Sequence, residues 1–173
     1  PDNVTVVRVS ADKPRAVNLS AYFLRRGYDF GSRQCGDGGI ITSGNAGEGG
    51  ICFACVLKAV PEGGSVSVYN DTVFTENADA VSFIITSETS FRNEHYAEAA
   101  ICTADNAAAK SYDVLKERHI KDHSALMRRV DLRLNSRDEA LSAMPTDERL
   151  ARFRSGGRDD GLFSLLYQFG RYL

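Results

Sequence analysis

The sequence predicts an α+β fold in which an antiparallel β-rich half precedes a helical half. Three observations carry that expectation. Up to about Ser90, short β-branched runs alternate with turns rich in Gly, Pro, Asn and Asp. From Asn93 onward the apolar residues recur at helical spacing. The two patterns do not interleave, so βαβ units with a parallel sheet are not expected. An antiparallel sandwich and one large sheet both satisfy the first half. The order as a whole fits one α+β domain or two domains at their junction.

The β-rich part, residues 1–92, opens on "VTVVRVSA". "AVNLSAYFL" then alternates, with Val17, Leu19, Ala21 and Phe23 on one face and Asn18, Ser20 and Tyr22 on the other, as in a half-buried strand. The stretch Gly36 to Gly50 reads as a long loop around a short strand. "GGICFACVLKAV" puts Ile51, Phe53, Cys55 and Leu57 on one face, and Pro61 to Gly64 make a turn. "SVSVYNDTVFTEN" is a hairpin with Asn70-Asp71 at its tip. A loop and a further strand follow in "NADAVSFIITSETSF".

Residues 93–144 read as a helical linker. An Ala-rich helix reaches about Ala109. A second carries Tyr112, Leu115, His119 and Leu126 on one stripe, with Asp122 or His123 completing it. "VDLRL", with Val130, Leu132 and Leu134 alternating, predicts a return strand near 130–134. Residues 145–173 form two more helices. Pro145, Thr146 as N-cap, and Asp147 and Glu148 in the first turn start one of them. "SGGRDDG" breaks it, and Asp159 or Asp160 caps the last helix. That helix bears a stripe of Leu162, Leu165, Leu166, Phe169 and Leu173, widened by Phe163, Tyr167 and Tyr172. A helix apolar on most sides needs something to surround it.

Composition narrows the function classes. With 43% hydrophobic and 25% charged residues, the 173-residue chain is ordinary for a soluble globular protein. A net charge of −2, with basic residues scattered among acids, gives no reason to expect nucleic acid or a membrane surface as partner. No run has the apolar length of a transmembrane helix. "PDNVTVVRVS" does not read as a signal peptide, and its first residue, Pro1, suggests a processed or cut start, which leaves the compartment open. Asn3, Asn18 and Asn70 head tripeptides that accept glycans only in a eukaryotic secretory route.

Candidate chemistry is sparse. Cys52 and Cys55 have metal-pair spacing, but three residues apart on a strand they point to opposite faces. Cys35 and Cys102 add no second pair at knuckle spacing, so the four are expected as packed thiols. His119 and His123 share a helical face, yet Ile120 and Asp122 stand where zinc-protease patterns need Glu, and no third ligand is indicated. The glycine loop has no Gly-Lys-Ser/Thr and no strand-to-helix setting for a phosphate. Asp159 and Asp160 read as a cap, not as carboxyls facing across a glycosidic bond. "RRGYDF" and "SFRNEHY" carry Arg, aromatic and acidic residues of the kind that line sugar sites. No catalytic, metal or cofactor site is assigned, and no substrate-binding residue can be singled out.

The helical half nevertheless resembles a known family. "AAAKSYDVLKERHIKDHSALMRRVDLRL" followed by "MPTDERLARFRSGGRDDGLFSLLYQFGRYL" is similar to glycoside hydrolase family 95, the α-L-fucosidases. The matching positions are Ala109, Lys110, Tyr112, His119, Asp122, Leu126, Arg129, Val130, Pro145 to Leu150, and Gly170 to Leu173. "VVRVSADKP", "PEGGSVSV" and "ADAVSFIITSETSF" extend the likeness into the β half. Ser111, His123 and Met144 depart from the usual Gly, Tyr and Leu.

The resemblance implies a longer parent with an N-terminal super-sandwich, a helical linker, an (α/α)6 catalytic barrel and a C-terminal β domain. This chain would supply the later part of the sandwich, the linker and the first barrel helix. The implied reaction is inverting hydrolysis of terminal α-L-fucosides, or α-L-galactosides, without a cofactor. It uses a glutamic acid as general acid and a water activated by asparagine with help from an aspartate. No position here matches those motifs. The implied partners are the rest of the barrel and an oligosaccharide substrate bound by the whole enzyme, with self-association through the bare final helix. The parent could be extracellular or periplasmic. The competing readings are a glycan-binding sandwich, which exposed aromatics on one sheet face would favour, a scaffold module, and a piece of a family 65 hydrolase or phosphorylase.

Overall fold

A computed structural model describes residues 1–24, 30–134 and 138–173. Eight strands form two antiparallel sheets: β1 (Thr5–Ser10), β2 (Val17–Tyr22), β3 (Phe30–Gln34), β4 (Gly39–Asn45), β5 (Cys52–Glu62), β6 (Ser65–Tyr69), β7 (Thr72–Ala78) and β8 (Ala80–Thr89). Five helices follow: α1 (Tyr96–Ala108), α2 (Tyr112–Met127), α3 (Glu139–Ala143), α4 (Thr146–Arg154) and α5 (Asp160–Tyr172). The fold is therefore α+β, a sandwich and then helices. It divides into two compact units, Pro1–His119 and Ile120–Leu173, with the boundary inside α2.

In the first unit the larger sheet runs β1-β8-β5-β4-β3 and the smaller β2-β7-β6. The sequence of β5 explains the layering. Its burial does not alternate: Phe53, Ala54, Val56, Leu57 and Ala59 are all buried, so both of its faces are covered. On one face Leu57 and Ala59 join Ile40, Val81 and Phe83 against Val17, Val73 and Ala78 of the smaller sheet. On the other, Ala54 and Val56 join Ile41 and Ile84 against Ala100, Ala104 and Ala107 of α1 and Leu115 of α2. The three alanines sit at i, i+4 and i+7, one helical stripe. Having no side chain beyond Cβ, they let α1 lie close on the sheet.

Charge pairs fix the margins of this unit. Arg8 on β1 forks onto Glu62 at 2.5 and 2.8 Å and lies over the Tyr112 ring, 5.0 Å from its centroid. Lys58 of β5 pairs with Asp105 of α1. Asp2, its side chain 9% exposed, accepts from Arg118 Nε at 2.8 Å and sits 3.5 Å from Lys110 Nζ. Arg118 therefore holds that carboxyl below the usual range.

Several expectations are corrected. Residues 130–134 form no strand; the described residues of the second unit contain helices but no strand to supply a ladder partner. Thr146 is the first helical residue of α4, Pro145 is the N-cap, and no side chain caps that end. Proline fits there because its fixed φ suits a helix start. The stripe on α2 buries Leu115, while His119 and Leu126 are exposed. Within Gly36–Gly50, the expected short strand is the seven-residue β4. β3, "FGSRQ", was not expected, since no β-branched residue marks it; its pairing with β4 makes it a strand.

The turn expected at Pro61–Gly64 is narrower, since Pro61 and Glu62 pair within β5, and Gly63–Gly64 alone carry the chain from the larger sheet into the smaller. Gly64 has φ +66°, and a Cβ there would lie 2.2 Å from the Glu76 carbonyl oxygen and 2.6 Å from Ala78 N. Both the left-handed backbone and the contact exclude a side chain. Gly64→Ala is expected to destabilise the sandwich by about 3 kcal/mol, combining left-handed strain with overpacking. The urea-unfolding midpoint followed by far-UV circular dichroism checks this; an unchanged midpoint refutes it.

Candidate functional site

The two sequence runs that mark this chain most strongly, "PTDERL" and "GRYL", both lie in the second unit, and both place an arginine in a structural joint. Arg149, one turn into α4, is 7% exposed, and Asp159, just before α5, is 3% exposed. Arg149 Nε donates to Asp159 Oδ2 and Nη2 donates to Oδ1, each at 2.9 Å. The pairing is bidentate, the strongest geometry available to this ion pair. Asp159 Oδ1 also accepts the Leu162 N–H at 3.0 Å, so one carboxylate both caps α5 and anchors α4.

The connection between the two helices is shaped to allow this. Ser155 and Gly156 close α4, Gly156 in the left-handed region at φ +89°. At Gly161 a Cβ would come within 3.1 Å of Arg149 Nη2. Arg149 holds the Asp159 carboxyl below the ordinary carboxylate range, against the opposing effect of burial. Asp160 is held by Arg158 at 3.0 and 2.8 Å. The expected cap at this "DD" pair is thus Asp159, and the ion pair beneath it had no local signal, since its partner lies ten residues away.

Arg171 of "GRYL" makes the second joint. Its guanidinium donates to the carbonyls of Val130 at 2.5 Å, Met127 at 3.1 Å and Leu126 at 3.3 Å, and to Gln168 Oε1 at 2.9 Å. The last carbonyls of a helix have no intrahelical donor, and Arg171 supplies one to the end of α2. Tyr172 meets His123 edge-on, with ring centroids 5.7 Å apart.

The remaining candidates are placed as follows. His123 is half-buried and His119 exposed, one turn apart on α2. Among the described residues no group of three His, Cys, Asp or Glu side chains is gathered as a metal site would require. Cys35, Cys52 and Cys55 are half-buried, Cys102 is exposed, and none of the four is in a disulfide. Burial pushes the Cys35 thiol up, which leaves it less nucleophilic. The glycine run serves the two hairpin turns around β4 (Cys35 N–H to Gly39 O at 2.9 Å, Ala46 N–H to Ile51 O at 3.0 Å). In "SFRNEHY", Ser90 Oγ accepts the Cys52 N–H and Asn93 Oδ1 accepts the His95 N–H, so this segment builds the approach to α1. Arg25 to Asp29 of "RRGYDF" lie outside the described residues.

The first unit is thus a three-layer arrangement of two sheets and a helix, and the second is a set of helices tied together by the buried Arg149 and the half-buried Arg171. Residues 1–94 match the glycosyl hydrolase family 65 N-terminal domain, and residues 111–173 match the glycosyl hydrolase family 95 catalytic domain. The chain is 30% identical over 134 residues to "Probable alpha-fucosidase A" of Aspergillus niger, covering 78% of this chain. It is 29% identical over 138 residues to "Alpha-L-fucosidase 2" of Arabidopsis thaliana, covering 72%. It spans 16% of the length of each of these curated relatives. The chain belongs to glycoside hydrolase family 95, with an N-terminal domain of the type shared with family 65.

Removing Arg149 strands a buried carboxylate. Arg149→Ala is expected to cost about 3 kcal/mol in the second unit, the usual scale for breaking a buried pair from one side. Because the folded pKa of Asp159 is depressed, its contribution is complete above the unfolded value of about 3.9 and is lost as pH falls through the folded value. Acid titration of the helical circular dichroism signal checks both effects. Asp159→Asn should remove this component of the acid-range slope; an identical slope in that variant refutes the assignment.

Proposed function

We propose that this chain is a non-catalytic, N-terminal portion of a glycoside hydrolase that, as a whole enzyme, hydrolyses terminal α-L-fucosides with inversion. The observation that carries the proposal is the family 95 catalytic-domain match, which starts at Ser111 and runs through α5. The names of the two relatives supply the sugar. The chain's own acids support a structural role: Asp159 and Asp160 are each held by an arginine, as are Asp2 and Glu62. Inverting hydrolysis needs an acid and a base facing each other across a bond, with room for a water between them.

In this reading α5 is the first helix of the catalytic barrel. Its apolar side is uncovered: Leu166 is 66% exposed, Phe169 56% and Tyr172 64%. The residues around it in the whole enzyme would be the remaining barrel helices.

Two outcomes follow. The purified 173-residue chain should release no fucose from 2′-fucosyllactose, while the polypeptide extended through a complete family 95 barrel should do so; fucose release by the short chain defeats the proposal. The short chain should also self-associate, because a large bare apolar surface seeks a partner. Light scattering should give a mass that rises with concentration, and Leu166→Ser with Phe169→Ser should lower it. A concentration-independent monomer mass for the parent chain contradicts this.

A further inference from the structure

The outward face of the smaller sheet carries an arrangement that neither the fold nor the hydrolase reading uses. Tyr22 on β2 and Tyr69 on β6 both lie opposite Thr72 on β7, so Tyr22, Thr72 and Tyr69 make one row across three strands. In the next row Ser20 and Ser67 both lie opposite Phe74. Tyr22 is 57% exposed, Tyr69 71% and Phe74 36%. Strand spacing puts the backbones of Tyr22 and Tyr69 about 10 Å apart, and Phe74 about 7 Å along β7 from the line between them. The result is a triangle of aromatic residues, with Thr72 between the two tyrosines and serines on either side of Phe74.

Two properties of this face narrow its ligand. Glu76 is the only acidic or basic residue in the three strands, so the strands carry no basic side chain. A phosphate, a nucleic acid or an acidic peptide would find no cation among the residues of these three strands. The aromatic residues are also not contiguous, since Thr72 separates the tyrosines and serines flank Phe74. A purely apolar partner would leave those hydroxyls desolvated without compensation. Tyrosine with serine supplies rigid, amphipathic contact area beside adaptable hydrogen-bonding groups. That suits a ligand with flat C–H faces edged by hydroxyls.

We propose that the outward face of the β2-β7-β6 sheet binds a neutral oligosaccharide, with Tyr22, Tyr69 and Phe74 covering sugar rings and Ser20, Ser67 and Thr72 exchanging hydrogen bonds with their hydroxyls. The choice of sugar rests on the hydrolase reading above. A 6-deoxy sugar adds a methyl group to the surface that the aromatic residues cover. The face would hold glycan near the enzyme without taking part in bond cleavage.

Saturation-transfer NMR of the 173-residue chain with 2′-fucosyllactose tests this and tolerates self-association. Transfer to the sugar is expected, with at least tenfold weaker binding in Tyr22→Ala/Tyr69→Ala and in Phe74→Ala, at unchanged far-UV circular dichroism. Phe91→Ala, at a site 70% exposed outside this sheet, should bind as the parent does. No transfer, or transfer indifferent to the three substitutions, overturns the proposal. So does loss of concentration-dependent mass in Tyr22→Ala/Tyr69→Ala, which would make the face a contact between copies of the chain. Failure here leaves the hydrolase reading standing, because that reading depends on fucose release by the barrel-containing polypeptide.

Discussion

A sheet whose central strands are apolar on both faces has to be covered twice, and the organisation of the first unit follows from that constraint. β5 and β8 carry buried residues at adjacent positions, so neither of their faces can be left to water. One cover is the smaller sheet, reached through the Gly63–Gly64 turn. The other is α1, and its composition follows from that position. A helix laid flat on a sheet through three alanines contributes little side-chain area of its own, yet it completes a layer that Ile41, Val56 and Ile84 would otherwise expose. The hydrophobic gain of burying those residues, roughly 25 cal/mol per Å² of apolar surface, depends on the closeness that alanine permits.

The second unit is held together differently. Its helices bury few apolar residues, and the specificity of their arrangement comes from arginine forks. Arg149 accounts for why a "DERL" run and an aspartate ten residues later occur together: each is costly to bury alone and acceptable as a pair. Arg171 does the same for backbone, using its planar donors to satisfy carbonyls that α2 leaves open. Family-marking residues are readily taken for catalytic ones. Here the most recognisable are joints between helices.

How much of this was legible in the sequence depended on the range of the interaction. Alternation in "AVNLSAYFL" and the Asn70-Asp71 turn were readable because pleat and hairpin are local. Asn70 indeed adopts a left-handed φ of 54°. The cap at Asp159 was readable for the same reason. β3 was not, because a strand without β-branched residues is defined by its neighbour. "VDLRL" misled because alternation describes a face to be buried and says nothing about whether an edge is available to bury it. His119 was placed on an apolar stripe that the structure buries at Leu115 and leaves exposed at His119 and Leu126. The row of Tyr22, Thr72 and Tyr69 was invisible, since two of its three members come from strands 47 residues apart in sequence and only the register aligns them.

Arg171 has one further consequence. By gripping the Leu126 and Met127 carbonyls at the end of α2 and the Val130 carbonyl just beyond it, Arg171 fixes the axial and rotational setting of α5 while its apolar side is uncovered. A helix held by van der Waals contact alone could slide or roll to suit a neighbour; one held by a guanidinium on fixed acceptors cannot do so without breaking charged hydrogen bonds. Leu166 and Phe169 are therefore presented as a template of set geometry. The ordering entropy of α5 has been met in advance, so any surface that docks on it would need only to match it.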